Sequence, residues 1–174
     1  SLEYYNKIKP EIAFNPSMQN EVVKSYMELN KPDSARIYLA ARLLSERGDK
    51  IVLNCMMAET YIPEGQEDSA FVFLDRAMKS YKEKAKNYQK QGREAILPNC
   101  FLSPCYLFAD LLWKKGKIQQ ASQYYMIVEP LMKERVKTPV RMELQIKALT
   151  NFSSFCRETK QYEKALDLLA RRDS

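Results

Sequence analysis

The sequence predicts an all-α protein, an α-α superhelix of about four helix-turn-helix units with no strands. Three observations support this fold class. One local pattern of small and large residues occurs four times, each time around an alanine: Ala35, Ala70, Ala121 and Ala165. No window alternates apolar and polar residues over more than a few positions, as a half-buried strand would. Residues that start and stop helices divide the chain into segments of helical length.

The repeated pattern has a direct physical meaning. Around Ala121, a small residue lies twelve positions earlier (Ala109), an apolar residue nine earlier (Leu112) and a large residue four later (Tyr125). Packed helices approach to about 8–10 Å between their axes. Small residues at the crossing allow that approach, and the large neighbours fill the space around it. We therefore expect each of the four alanines to lie at the crossing of a helix pair.

Capping residues, prolines and glycines set the helix boundaries. A capping residue followed by proline at the first helical position marks three helix starts: Asn15-Pro16, Ser103-Pro104 and Thr138-Pro139. Asn30 is the candidate cap of a fourth helix. The four glycines are expected just after helix ends in the left-handed conformation: Gly48, Gly65, Gly92 and Gly116. Pro130 should kink or shorten its helix.

These signals predict the elements in order. An N-terminal helix lies within 2–14, and the further helices span 17–30, 32–47, 50–62, 67–91, 104–115, 118–136, 139–159 and 161–172. They pair into units at about 16–49, 50–93, 102–136 and 139–172, all within a single helical-repeat domain over 1–174. Because the sequence begins without Met and stops just after a helical pattern, we expect it to be a fragment of a larger protein.

The arrangement resembles the tetratricopeptide repeat. The third unit matches best, and its matching residues are Phe108, Ala109, Leu112, Gly116, Ala121, Tyr125 and Val128. The second unit follows, whereas the first and fourth are weaker, with Arg42 and Arg172 where the family prefers a small residue. The family period is 34 residues, but the successive alanines are 35, 51 and 44 residues apart. The chain therefore resembles a divergent variant with lengthened helices.

The resemblance implies a non-catalytic protein–protein interaction scaffold or adaptor, a subunit of a larger complex, that binds a peptide or helix of its partner in a concave groove. The family's groove positions, carried onto this sequence, select Asn20, Lys24, Met27, Met56, Glu59, Tyr106, Asp110, Trp113, Asn151 and Arg157. The Lys, Asn and Arg residues with which some family members grip a C-terminal carboxylate are not in their places, since Met56 and Leu107 occupy two of them. Capture of a chaperone tail is therefore not expected.

Two of these groove residues are aromatic, and one of them has two interpretations. Trp113, the only tryptophan, either anchors a ligand beside Tyr106 or packs between units as core.

The charge distribution leaves two alternative functions open. Residues 1–87 are neutral, so the net charge of +6 lies in 88–174. A basic ridge is predicted from Lys84, Lys86, Lys90, Arg93, Lys133, Arg135, Lys137 and Arg141. It either keeps the array soluble or contacts nucleic-acid phosphates, which would make the chain a nucleic-acid-associated subunit. A homo-oligomerisation module is the other alternative, because the final helix is expected to expose Leu166, Leu168 and Leu169.

Composition argues against catalysis, cofactors and metals. The chain has no histidine, no Gly-rich phosphate loop and no closely spaced set of zinc ligands among its 4 cysteines. We therefore predict no enzyme activity, no cofactor and no metal site. No apolar run approaches the ~20 residues that span a bilayer, so no membrane partner is expected. The cysteines suit small core positions in a reducing compartment, which predicts an intracellular protein of cytoplasm or nucleus.

Overall fold

A computed structural model describes residues 16–45, 49–134 and 138–172. The described residues form helices joined by short connections, with no strand among them, which confirms the all-α prediction. The helices are α1 (Pro16–Glu28), α2 (Pro32–Leu44), α3 (Lys50–Tyr61), α4 (Glu67–Lys90), α5 (Leu102–Lys114), α6 (Ile118–Lys133), α7 (Pro139–Glu158) and α8 (Tyr162–Arg172), with a 3-10 turn (Asn99–Phe101) before α5. The helix predicted within 2–14, Asn15 and Gly48 lie outside the described residues.

The helices pack as four successive hairpins. α1 pairs with α2, α3 with α4, α5 with α6 and α7 with α8. Each hairpin also contacts the next one, because α2 packs on α3, α4 on α5 and α6 on α7. The first helices of neighbouring units touch directly, α3 with α5 and α5 with α7. This stacking is that of a helical-repeat superhelix.

All four alanines occupy one structural position. Each is the fourth residue of the second helix in its hairpin, and its backbone N–H donates to the carbonyl of the residue before that helix, at 3.0–3.3 Å. Ala35, Ala70 and Ala121 have no exposed surface, and Ala165 is 6% exposed. Ala109, on the facing helix α5, is also fully buried. The prediction that the alanines lie where paired helices cross is confirmed.

Left-handed residues end the first helix of each hairpin. Gly65 and Gly116 have φ values of +67° and +76°, as the sequence predicted, and Gly92 has +69° after α4. In the first and fourth hairpins the same place is taken by Asn30, at +53°, and Lys160, at +62°. The prediction that Asn30 caps α2 is therefore wrong: it closes α1, and Lys31 is the residue before α2. Asn tolerates this conformation, whereas nothing in the sequence marks Lys160 for it.

Three other boundary predictions have mixed outcomes. Ser103 is not an N-cap, because the 3-10 turn leads directly into α5 at Leu102 and places Ser103 within the first helical turn. Thr138 does precede α7, but its side chain makes no capping hydrogen bond. Pro130 lies inside α6, which ends at Lys133, three residues before the predicted end. The helix is therefore shorter than its predicted span, one of the two effects expected of Pro130.

An aromatic core joins the later units. The larger of two buried clusters extends over α3 to α8, and the smaller one joins α1 and α2 to α3. In the larger cluster the Tyr125 ring stacks on Phe152, with centroids 4.7 Å apart, and lies 5.2 Å from Phe155. All three rings are almost fully buried. These ring contacts hold α6 against α7.

Arg36 of α2 ties the first unit to the second. Its guanidinium lies 4.0 Å from the centroid of the Tyr61 ring and donates to the Thr60 carbonyl at 2.6 Å. It also pairs with Glu64 beyond the end of α3. These contacts fix the smaller core cluster against the larger one.

Candidate partner-binding face

The first helices of the four units, α1, α3, α5 and α7, present what we call the inner face. The predicted groove residues all belong to these helices. At the α1 end, Asn20 and Lys24 are exposed and Met27 is half-buried. Lys24 Nζ lies 3.9 Å from Glu28 Oε1, so its charge is loosely balanced within the same helix. Exposed pairs of this kind contribute little to stability.

Met56 and Tyr106 lie deeper than groove residues should. Met56 is 8% exposed and packs in the smaller core cluster, and Tyr106 is 5% exposed. The expectation that these side chains stand on the open groove surface therefore needs correction, because neighbouring helices cover most of each. Tyr106 nevertheless lines a cleft of about 390 Å³ between α5 and α7, together with Leu102, Val140 and Leu144.

Glu59 lies between α3 and α5. Its side chain keeps some contact with solvent, but protein atoms surround it, and this burial raises its pKa from 4.5 to about 7. The Ser103 hydroxyl donates a hydrogen bond to the carboxylate, which opposes the rise. No lysine or arginine among the described residues forms an ion pair with Glu59. It is a desolvated carboxylate held mainly by a neutral donor.

Asp110 lies between α5 and α7 and binds neutral groups from both sides. The Tyr125 hydroxyl donates to Oδ1 at 3.1 Å, and the Asn151 amide donates to Oδ2 at 3.2 Å. Lys114 Nζ stands 3.7 Å from Oδ2 with 75% of its side chain exposed. The structure thus brings together the predicted site residues Asp110 and Asn151, which are 41 residues apart in sequence.

Trp113 has features of both interpretations considered for it. It packs against the larger core cluster and meets the Phe155 ring edge-to-face, with centroids 5.6 Å apart. Its side chain is half-buried, so part of the indole also faces solvent at the end of α5.

The α7–α8 end of the inner face carries a second cleft. Arg157 is exposed and lines this cleft of about 390 Å³, together with Tyr162, Leu166 and Leu169. Tyr162 is 59% and Leu166 67% exposed, so an apolar end face exists. Leu168 does not belong to it, contrary to prediction, because it points into the core with no exposed surface.

The predicted basic ridge is only partly visible. Lys84, Lys86, Lys90 and Arg93 are exposed at the end of α4, and Lys133 is exposed at the end of α6. Arg141 is instead engaged by the Glu134 carboxylate and the Asn99 side chain. This pairing removes one cation from the ridge. Arg135 and Lys137 lie outside the described residues.

Three of the four cysteines gather beside Glu59. The thiols of Cys55 and Cys100 share a hydrogen bond, which raises the pKa of Cys55 and lowers that of Cys100. Burial is the main cause of the raised pKa of Cys105. No group of three or more His, Cys, Asp or Glu side chains in the described part of the chain has a metal-binding arrangement. The sequence patterns did not single out this cluster, because Cys55 lies far from the other two along the chain.

Two residues of the site were not singled out by the sequence patterns. Val140 and Leu144 line the Tyr106 cleft from the first turns of α7, and Val140 is 82% exposed. They extend α7 beyond the part that aligns with the other first helices. The available signal was the unusual length of this helix, at 20 residues.

Comparison with known proteins identifies the repeat. The Tetratricopeptide repeat family model matches residues 102–126, which cover α5 and the first half of α6. Neither the curated proteins nor the solved structures contain a match to the chain. Among the described residues, no helix is both long and apolar enough to cross a membrane. The third hairpin matches the family, and the four hairpins share its alanine position and turn geometry. The chain is a tetratricopeptide-like helical repeat protein.

Proposed function

We propose that the chain is a non-catalytic scaffold or adaptor, a subunit of a larger complex, that binds a peptide or helix of a partner protein along the inner face. Tetratricopeptide repeats generally mediate protein–protein interactions, and this general role extends to a chain that contains one. The finer statement, that binding uses the inner face, rests on its geometry.

One observation supports the proposal: polar side chains in the middle of the inner face bond between neighbouring first helices, and the same face has an apolar cleft. Asp110 and Asn151 join α5 to α7, and Ser103 and Glu59 join α3 to α5. Tyr106 of α5 lines the apolar cleft between α5 and α7. Polar groups placed beside an apolar cleft are typical of peptide-binding surfaces, where the cleft supplies affinity and the polar groups supply orientation.

The test uses a phage-displayed library of random 12-residue peptides, selected against the purified chain. Selected peptides, synthesised with a fluorophore, are titrated by anisotropy against the wild type and against two inner-face variants, Trp113→Ala and Arg157→Glu. We expect both variants to weaken binding, whereas Lys82→Glu on the outer helix α4 should not. Far-ultraviolet circular dichroism of each variant checks that the helices persist. Peptides that bind all four proteins equally would contradict an inner-face site.

A further inference from the structure

We propose that the cleft between α7 and α8 is a docking site for an amphipathic helix of a partner protein, with an apolar residue and, three positions later, an aspartate or glutamate. We call this cleft, of about 390 Å³, the end cleft. It lies between the two helices of the fourth unit, so the inference goes beyond binding along the inner face. The register of the repeat identifies the occupant as a helix, and the charge of the lining sets the sign of the occupant's charge.

The corresponding place in the third unit is filled by a helix, α7. Tyr125 of α6 stacks on Phe152 of α7, with ring centroids 4.7 Å apart. Trp113 of α5 meets Phe155 of α7 edge-to-face, with centroids 5.6 Å apart. Because residues three apart lie on the same face of a helix, α7 covers both α5 and α6 with a single stripe of side chains.

The fourth unit repeats the geometry of the third. A shift of 44 residues carries Ala121 onto Ala165, and each is the fourth residue of the second helix in its unit. The same shift carries Gly116, with a φ of +76°, onto Lys160, with a φ of +62°. The turn and the helix crossing therefore keep their register, so positions that are equivalent in sequence are also equivalent in the structure.

This register places the end cleft where α7 lies in the third unit. The shift carries Tyr125 onto Leu169 and Trp113 onto Arg157, and both Leu169 and Arg157 line the end cleft. Tyr125 is fully buried under α7, whereas Leu166 in the end cleft is 67% exposed. Within the described part of the chain no helix fills the end cleft. Its shape therefore fits a helix in the orientation that α7 has on the third unit.

The polar lining of the end cleft can be covered by an apolar helix face. The Thr150 hydroxyl donates to the Ile146 carbonyl at 2.7 Å, and the Ser153 hydroxyl donates to the Thr150 carbonyl at 2.9 Å. Because both hydroxyls are satisfied within α7, covering them leaves no unpaired donor. Leu166 and Leu169 of α8 supply the apolar surface on the other side of the cleft.

The two charged side chains that line the end cleft are both cationic, Arg157 and Arg172. Arg157 forms no ion pair with a carboxylate among the described residues. A purely apolar helix face would cover its guanidinium group without compensating the charge. A carboxylate opposite Arg157, in the place that Phe155 takes against Trp113, would form a charge-assisted pair instead. The apolar residue three positions earlier then faces Leu169.

The probe for the experiment is the α7 sequence itself, as a fluorescent synthetic peptide of residues 139–158. A lactam bridge between Glu143 and Lys147 holds it helical, since these exposed side chains already pair at 2.7 Å in the structure. Two versions of the peptide differ at one position, Phe155→Glu and Phe155→Lys. In anisotropy titrations of the purified chain, we expect the glutamate peptide to bind at least about tenfold more tightly than the lysine peptide.

Three variants of the chain locate the binding. Arg157→Glu should reverse the preference, so that the lysine peptide binds more tightly than the glutamate peptide. Leu166→Asp should weaken the glutamate peptide at least about tenfold on the wild-type background. Leu44→Asp, at an 88% exposed leucine of α2, is the matched control and should change neither peptide. Far-ultraviolet circular dichroism checks that each variant keeps its helices.

Several results would overturn the inference. Neither peptide showing saturable binding, equal binding of the two peptides, or a preference that survives Arg157→Glu would each refute a docking site for an acidic helix. An equal loss with Leu44→Asp would refute the end cleft as the place of binding. If neither peptide binds and the chain self-associates in sedimentation through a contact that Leu166→Asp abolishes, the cleft belongs to a second copy instead. Library peptides that respond to Trp113→Ala but not to Leu166→Asp report on the inner face alone, so the two proposals can fail separately.

Discussion

Replacing Glu59 by glutamine should stabilise the chain in alkaline solution and have a much smaller effect in mild acid. The burial of Glu59 raises its pKa from 4.5 to about 7. Above pH ~7 the side chain is ionised in both the folded and the unfolded chain, and the folded state bears the cost of holding a desolvated charge. As the pH falls below ~7, the folded state takes up a proton while the unfolded state remains ionised down to ~4.5, so folding becomes more favourable.

The magnitude follows from the size of the shift. A rise from 4.5 to about 7 corresponds to about 3 kcal/mol, at about 1.4 kcal/mol for each pKa unit. Because Glu59 keeps some contact with solvent, we take this value as an upper bound and expect about 1–3 kcal/mol. The titratable groups around it are Cys55, Cys100, Cys105 and Tyr106. The pKa values of Cys55, Cys105 and Tyr106 are raised, so these three groups stay largely protonated through the relevant window. The exception is Cys100, whose pKa is lowered, so a Cys100→Ser background serves as an internal check.

Urea unfolding followed by circular dichroism, at about pH 8.5 and about pH 5, measures the effect. The free energy of unfolding of Glu59→Gln should exceed that of the wild type at the higher pH, and this excess should fall to about a quarter at the lower, where the unfolded carboxylate is still largely ionised. The matched substitution Glu83→Gln, on an exposed site of α4, should stay within about 0.5 kcal/mol at both. A Glu59→Gln chain that is no more stable at the higher pH, or a difference that does not change with pH, would refute the account of this residue.

Three further predictions test the turns, the helix crossings and the thiol cluster. Gly116→Ala should cost about 1 kcal/mol in urea unfolding, since φ is +76° and a Cβ there meets nothing within 4 Å, so only backbone strain is added. Lys160→Gly, at a φ of +62°, should raise the free energy of unfolding by a similar amount. A stabilised Gly116→Ala or a destabilised Lys160→Gly would contradict the turn geometry. Ala121→Leu should cost about 1–3 kcal/mol in the same assay, because the residue is fully buried at a helix crossing; a neutral result would show that the crossing is loosely packed. In limited alkylation with iodoacetamide, mapped by mass spectrometry, Cys100 should react before the other three cysteines, because it is partly exposed and its pKa is lowered; earlier labelling of Cys156 would contradict this.

The repeated architecture could be predicted because its physical requirements are local. A small residue at each helix crossing and a glycine after a helix recur at recognisable spacings in the sequence. In the structure Ala121 is fully buried and Gly116 has a positive φ, as these patterns predict. Lys160 escaped notice because the turn imposes its conformation through the hydrogen bond from Gln161 N–H to the Cys156 carbonyl, at 2.8 Å. The constraint is a backbone hydrogen bond within the turn, and the residue type at position 160 does not reveal it.

The site was less predictable than the fold. The family register placed Glu59, Asp110 and Asn151 on the inner face, and it could not show that Asp110 and Asn151 bond to each other across 41 residues. Nor could it show how deeply Met56 and Tyr106 lie, because burial depends on the distance between neighbouring helices. The lengthened α7 changed the surroundings of Tyr106 by adding Val140 and Leu144 to its cleft.

The most direct measurement of the central claim is nuclear magnetic resonance mapping of a selected peptide on the folded chain. The claim is that partners bind on the inner face of a tetratricopeptide-like scaffold. We predict that amide shifts on adding the peptide concentrate on α3, α5 and α7, with Glu59, Asp110 and the Trp113 indole among the largest. Shifts confined to the outer helices α4 and α6, or to the exposed lysines at the end of α4, would contradict the claim.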